Sequence, residues 1–148
     1  MAVNPEIQGR VFPPTAPYLV GREKVREFSR AVFATDPINL DAEAARAAGH
    51  ADVVAPPTFA VVVQEAALAQ LLAEPGTGID FSRVVHGDQR FSFTRAIVAG
   101  DELTATLTVA AVKSLGAHSM VTAQTSIVDS EGAHVVTATS TLVVRGDE

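Results

Sequence analysis

Among the side chains of this sequence that can do acid–base chemistry, those in two short stretches stand out. The first is Asp36-Pro37-Ile38-Asn39, with Asp41 just beyond it; the second is Val85-His86-Gly87-Asp88. Asp36 can take a proton or orient a water, as general acid–base work requires. It can equally serve as a turn or helix-ending residue before Pro37. Asn39 has no base to offer, because a carboxamide does not titrate in a useful range; it can only donate and accept hydrogen bonds. Asp41 reads as the N-cap of a following helix. His86 stands beside a glycine at the start of a strand, where it either faces a ligand or hydrogen-bonds within a sheet. His50 falls in a loop near the first stretch, while His118 and His134 fall at hairpin ends facing solvent.

Other chemistries find no support. The chain has no cysteine, which rules out disulfides and thiolate metal sites. No His, Asp and Glu spacing matches a metal centre, so no metal is expected. No serine sits in a strand–turn–helix nucleophile elbow, and no glycine-rich loop is spaced to cradle phosphate. The net charge of -6 and the scatter of 11 basic residues argue against a nucleic-acid surface, as does the scarcity of aromatic rings for stacking. With 148 residues, 47% of them hydrophobic, the chain can bury a core as one domain spanning 1–148. The longest apolar stretch, Phe59 to Leu72, is interrupted by Gln64, Glu65 and Gln70, too short and too polar to insert in a membrane. No secretion signal is legible at the N-terminus, so a cytoplasmic location is expected.

The elements that must position these residues follow from periodicity. Pro5, Pro13, Pro14 and Pro17 favour extended backbone at the start. Tyr18-Leu19-Val20 reads as a short strand. Arg22 to Phe33 has a helical period that puts Val25, Phe28, Ala31 and Val32 on one face; Asp36-Pro37 ends that helix. A second helix spans Ala42 to Ala48, stopped by Gly49. The run from Val53 to Phe59 leads into a third, which extends to about Leu72. Its apolar residues go nearly all the way round, predicting a buried helix. After Gly87 the period becomes two, with Phe91 and Phe93, then Leu103 to Val109, Val121 to Ile127 and Val135 to Val144, separated by turn residues. Four long strands so closely linked predict an antiparallel meander and an α+β class. A helix of about fifteen residues is roughly 22 Å long, and strands of about ten residues reach roughly 34 Å, enough to curl around it.

Asp36-Pro37-Ile38-Asn39-Leu40-Asp41-Ala42-Glu43 through Gly49 and Pro56 to Phe59 resembles the hydratase segment of the MaoC-like and (R)-specific enoyl hydratase family. Val85-His86-Gly87-Asp88-Gln89-Arg90-Phe91, followed by Arg95 to Asp101, is similar to the branch with an N-terminal MaoC-type dehydratase domain, which includes actinobacterial (3R)-hydroxyacyl-ACP dehydratase subunits. The resemblance covers nearly the whole chain. It implies a hot-dog fold, a long antiparallel sheet wrapped around a central apolar helix. It also implies dehydration or hydration of an acyl-CoA or acyl-ACP thioester without a cofactor, in a homodimer or in a heterodimer with another hot-dog subunit.

One departure stands out. The family motif reads Gly-Asp-x-Asn-Pro-Ile-His; here the chain reads Thr35-Asp36-Pro37-Ile38-Asn39-Leu40-Asp41, two residues shorter, with Asn39 at the histidine position. The resemblance then implies a subunit that is weakly active or inactive alone, its catalytic groups coming from a partner. Asp36, Asn39 and His86 are the candidate catalytic residues. Ala55, Pro56, Thr58 and Phe59, at the start of the central helix, are the candidates for holding the thioester. Because proline lacks an N–H, Thr58, Phe59 or an upstream residue must donate to a developing oxyanion. A non-catalytic acyl-thioester binding module and a hot-dog thioesterase are the alternatives on the same fold.

Overall fold

The computed structural model describes residues 2–147. Its strands are β1 (Tyr18–Leu19), β2 (Val84–Phe93), β3 (Glu102–Leu115), β4 (His118–Val128) and β5 (His134–Val144), all antiparallel in the order β1-β3-β4-β5-β2. The helices are α1 (Arg22–Ala31), α2 (Pro37–Leu40), α3 (Ala42–Ala47) and α4 (Ala60–Ala73), the last led in by a 3-10 turn over Pro57–Phe59. The sheet curls around α4, the hot-dog arrangement expected.

Alternation explains which face the sheet buries. Leu103, Ala105, Leu107 and Val109 of β3 are fully buried, as are Val121, Ala123 and Ile127 of β4 and Val136 and Ala138 of β5. The threonines and serines that alternate with them point outward, the pattern of a sheet with one covered face, and Thr125 takes a buried position between Ala123 and Ile127. Against that face α4 packs Ala60, Val63, Ala67 and Leu71. Phe59 is fully buried beneath Tyr18 and Phe28, with ring centroids 6.4 and 5.3 Å away.

Several details depart from the sequence-based expectation. The strands are not a simple meander: β2 pairs with β5, not with β3, and residues 94–101 cross between opposite edges of the sheet. Strand β2 begins at Val84, so Gly87 is a bulge within it and not its start. Asp36-Pro37 does not simply end a helix; Pro37 opens the short α2. Helix α1 stops at Ala31, and the Phe33 backbone turns left-handed at φ 60 with its ring 89% exposed. Consequently Ala31 and Val32 face solvent, and Val25 with Ser29 takes the buried side. Helix α4 is also less enclosed than its composition suggests, since Val61, Glu65, Ala66 and Ala69 remain exposed. A curled sheet covers only one side of a helix.

One buried polar ring fixes α4 against the sheet. The Gln64 Nε2 donates to Ser140 Oγ at 2.7 Å, Ser140 Oγ donates to Gln89 Oε1 at 2.5 Å, and Gln89 Nε2 returns to Gln64 Oε1 at 3.2 Å. The three residues come from α4, β5 and β2, so the ring also sets the register of β2. A closed set of this kind satisfies polar groups that would otherwise be costly to bury. Ser140→Ala leaves Gln64 and Gln89 short of partners. It is expected to lower stability by about 1–3 kcal/mol, read from urea unfolding.

Candidate functional site

A cleft of about 410 Å³ opens where α2, the start of α4 and the end of β2 meet. Its walls are mostly apolar. Ile38 comes from α2, Val54, Ala55 and Pro56 from the run before α4, and Phe93 from the end of β2. Asp36 and Asn39 are the two side chains in the lining with polar ends, and no histidine lines it.

Local chemistry explains both polar positions. Asp36 is the N-cap of α2: its Oδ1 accepts from the Ile38 N–H at 3.1 Å, with Pro37 opening the helix. Capping engages one carboxylate oxygen of an otherwise exposed side chain. Asn39 is buried, and its Nδ2 donates to the Val54 carbonyl at 2.7 Å. The Val54 N–H donates in turn to the Ile38 carbonyl at 2.8 Å, so α2 is stitched to the cleft wall by backbone and side chain together. Asn39 therefore positions the wall, a task that suits a carboxamide. Asp41 caps α3 through the Glu43 N–H at 2.9 Å.

The wall is held from behind. The Ala55 N–H donates to Ile97 O at 2.8 Å and Ala99 N–H to Val53 O at 3.0 Å, tying the segment to the crossover loop. That loop is clamped by Arg95, whose Nη1 and Nη2 reach the Asp101 carboxylate at 2.8 and 3.1 Å and whose Nη2 reaches Asp129 at 3.4 Å. Asp52 clamps the other side. It accepts from Arg22 at 2.9 and 2.7 Å and from the Val53 N–H at 2.7 Å. The Arg22 hydrogen bonds hold its carboxyl at about 2, below the usual carboxylate range. Periodicity could not reveal either clamp, because Arg22 with Asp52 and Arg95 with Asp129 are far apart in sequence and the shorter Arg95–Asp101 pair closes an irregular loop; the Arg95 to Asp101 stretch was singled out only by resemblance.

The remaining candidates separate. Ala55 and Pro56 line the cleft. Phe59 is fully buried in the core and its N–H is spent on the Pro56 carbonyl at 2.9 Å. Pro57 has no N–H, and Thr58, exposed in the first turn of the helix entry, lies beside the cleft lining and not in it. His86 lies elsewhere in this chain, roughly 20 Å along β2 from Phe93 at the rise of a strand. Its Nε2 donates to the Asp88 carbonyl at 3.1 Å. His50 donates its N–H to Ala45 O at 2.9 Å, outside the cleft lining. Among the described residues, no group of three or more His, Asp and Glu is arranged to hold a metal ion, and no helix is long and apolar enough to cross a membrane.

Comparison with known proteins places this geometry. Residues 6–138 match the model of the FAS1-like dehydratase domain region. The chain belongs to that family. A relative in Leifsonia xyli subsp. xyli, a UPF0336 protein, is 74% identical over 146 residues, covering 99% of this chain and 98% of its own. A UPF0336 protein of Streptomyces coelicolor is 49% identical over 148 residues, covering 100% of this chain and 99% of its own. Among solved structures, the HadBC (3R)-hydroxyacyl-ACP dehydratase complex of Mycobacterium tuberculosis superposes with a TM-score of 0.85 at 31% identity. That match covers 93% of this chain and 96% of the other. A MaoC-like dehydratase superposes with a TM-score of 0.87 at 32% identity, covering 94% of this chain and 42% of its own. The family is thus that of the MaoC-like hot-dog dehydratases, as the two sequence segments implied.

Two outcomes test the supports of the cleft. Asp36→Ser keeps a side-chain cap while removing the carboxylate, so it should shift stability by less than Asp36→Ala, which is expected to cost about 1 kcal/mol in urea unfolding. Asp52 contributes stability that is complete above its unfolded value near 3.8 and is lost as pH falls toward about 2. The stability difference between wild type and Asp52→Asn should therefore be largest above pH 4 and shrink toward pH 2, measured as unfolding midpoints across that range.

Proposed function

We propose that this chain is a subunit of a (3R)-hydroxyacyl-thioester dehydratase, or enoyl hydratase, acting on acyl-CoA or acyl-ACP, and that a second hot-dog subunit supplies part of its catalytic machinery. The observation that carries this reading is the make-up of the cleft: one carboxylate, Asp36, one carboxamide, Asn39, and otherwise apolar walls. An acyl chain suits such walls. Dehydration needs a group that takes the proton from C2, a group that meets the departing C3 hydroxyl, and donors for the enolate-like oxygen. Asp36 can orient the hydroxyl or water through its uncommitted oxygen. The Thr58 N–H at the start of α4 can meet the oxyanion. The proton-transferring group is the one this cleft lacks, and a partner subunit can bring it. Structural relatives that are complexes of two subunits, HadBC and ChsH1-ChsH2, are in keeping with such a partner.

The reading is tested by following the enoyl absorbance of crotonyl-CoA and of a crotonyl carrier protein with this chain alone and with hot-dog partner chains. Hydration that falls about 100-fold or more in Asp36→Asn is the expected result. Robust hydration by the chain that survives Asp36→Asn would sink it. Release of free thiol in the same reaction would point to a thioesterase instead, and tight thioester binding with no turnover in any mixture to a binding module.

A further inference from the structure

Helices α1 and α3 end with the same backbone closure, but with different residues at its tightest point. After α3 the Gly49 N–H donates to Arg46 O at 3.0 Å and the His50 N–H to Ala45 O at 2.9 Å, with Gly49 at φ 95. After α1 the Phe33 N–H donates to Arg30 O at 3.2 Å and the Ala34 N–H to Ser29 O at 2.8 Å, with Phe33 at φ 60. The left-handed residue of this closure is normally glycine, because a Cβ is crowded there. Phe33 is the one non-glycine residue at positive φ among the described residues. Its ring is 89% exposed, so little packing within the chain offsets the crowding. Strain kept where glycine would serve points to a task outside the fold. The next residue, Ala34, lines the cleft, as does Asp36.

A cation belongs to the same turn. Arg22, Arg26 and Arg30 are spaced by four and share one flank of α1. Arg22 binds the Asp52 carboxylate, and Arg26 Nε donates at 2.8 Å to the carbonyl of Leu40, the last residue of α2. The chain leaves α1 after Ala31 and enters α2 at Pro37, so α2 runs back along α1. Arg30, about 6 Å beyond Arg26 along the axis, therefore flanks the Asp36 end of α2. The other arginines around the wall are engaged: Arg22 and Arg46 with Asp52, Arg26 with Glu23, and Arg95 with Asp101. Arg30 is exposed and makes no ion pair or side-chain hydrogen bond among the described residues.

We propose that Arg30 and Phe33 form a carrier-arm subsite at the rim of the cleft: Phe33 packs on the pantetheine arm as it leaves the cleft, and Arg30 holds the phosphate that ends the arm. This deepens the reading above and rests on it for the ligand. A cleft of about 410 Å³ takes the acyl group and the thioester, so the arm must cross the rim. In that arm the phosphate is joined through one methylene to a carbon bearing two methyl groups. A cation and an aromatic ring on one helical turn meet these two adjacent parts. The guanidinium presents paired N–H donors that match two phosphate oxygens, and the ring face covers the methyl groups. The same arm and phosphate occur in CoA and in the prosthetic group of an acyl carrier protein.

The subsite is tested by calorimetric titration of this chain, alone and with hot-dog partner chains. The probes are butyryl-CoA, a butyryl carrier protein, and butyryl-pantetheine, which lacks the phosphate. Arg30→Gln should weaken butyryl-CoA and the carrier protein about tenfold or more and leave butyryl-pantetheine unchanged. Phe33→Gly should weaken all three about fivefold, and Phe33→Tyr should retain wild-type affinity. The glycine variant should also unfold at higher urea, since it relieves the left-handed strain. A more stable Phe33→Gly that binds every probe as wild type does, whether or not its self-association changes, overturns the role of the ring. Equal losses for butyryl-CoA and butyryl-pantetheine in Arg30→Gln overturn the phosphate contact. A loss with butyryl-CoA but not with the carrier protein puts Arg30 on the nucleotide's other phosphates and also overturns the contact with the arm. Wild-type binding unaffected by any variant removes the subsite and leaves the thioester reading standing, whereas no binding by wild type in any mixture removes both.

Discussion

Everything about the site depends on how α4 is seated beneath the curled sheet. The helix begins where the cleft lies, so any change in its depth or rotation moves Ala55, Pro56 and the Thr58 N–H together. Apolar packing from Ala60, Val63, Ala67 and Leu71 gives most of the attraction, but such contacts are non-directional. The Gln64, Ser140 and Gln89 ring supplies direction: its three hydrogen bonds fix one rotation of the helix and one register of the edge strand. That is why Ser140 and Gln64 sit buried beneath the sheet in a core built mostly from apolar side chains.

The cleft is a small polar pair in apolar surroundings, held by clamps at either end. Asp36 caps, and Asn39 lies on, a four-residue helix that would be too short to persist alone. It is secured by its cap, by Asn39 on the Val54 carbonyl and by Arg26, whose Nε donates to Leu40 O at 2.8 Å. Asp52 and Arg95 then brace the wall from opposite sides. The arrangement places charge in the supports and keeps it off the cleft walls, leaving Asp36 as the titratable side chain of the lining.

The unequal edges of the sheet carry the same logic outward. Covering β3 with the N-terminal segment satisfies backbone groups of that strand within the chain, whereas β2 has no neighbour on its outer edge among the described residues and ends at the exposed Phe93. The edge without a neighbour among the described residues is the one whose last residue, Phe93, lines the cleft.

The sequence by itself determined the class and the family. Period-two runs after Gly87, one apolar helix before them and the two segments around Asp36 and His86 sufficed for a sheet wrapped on a helix, because alternation and helical period report which face is buried. Local capping was equally legible: Asp41 was readable as an N-cap because that bond spans two residues. What only the tertiary structure decided was pairing at a distance. That β2 joins β5, that Gly87 is a bulge, that Asn39 braces Val54, that Phe93 reaches the cleft and that His86 does not all depend on contacts between segments far apart in sequence. The half-exposed face of α4 had the same origin. Composition states how apolar a helix is, but only the curvature and extent of the sheet decide how much of it is covered.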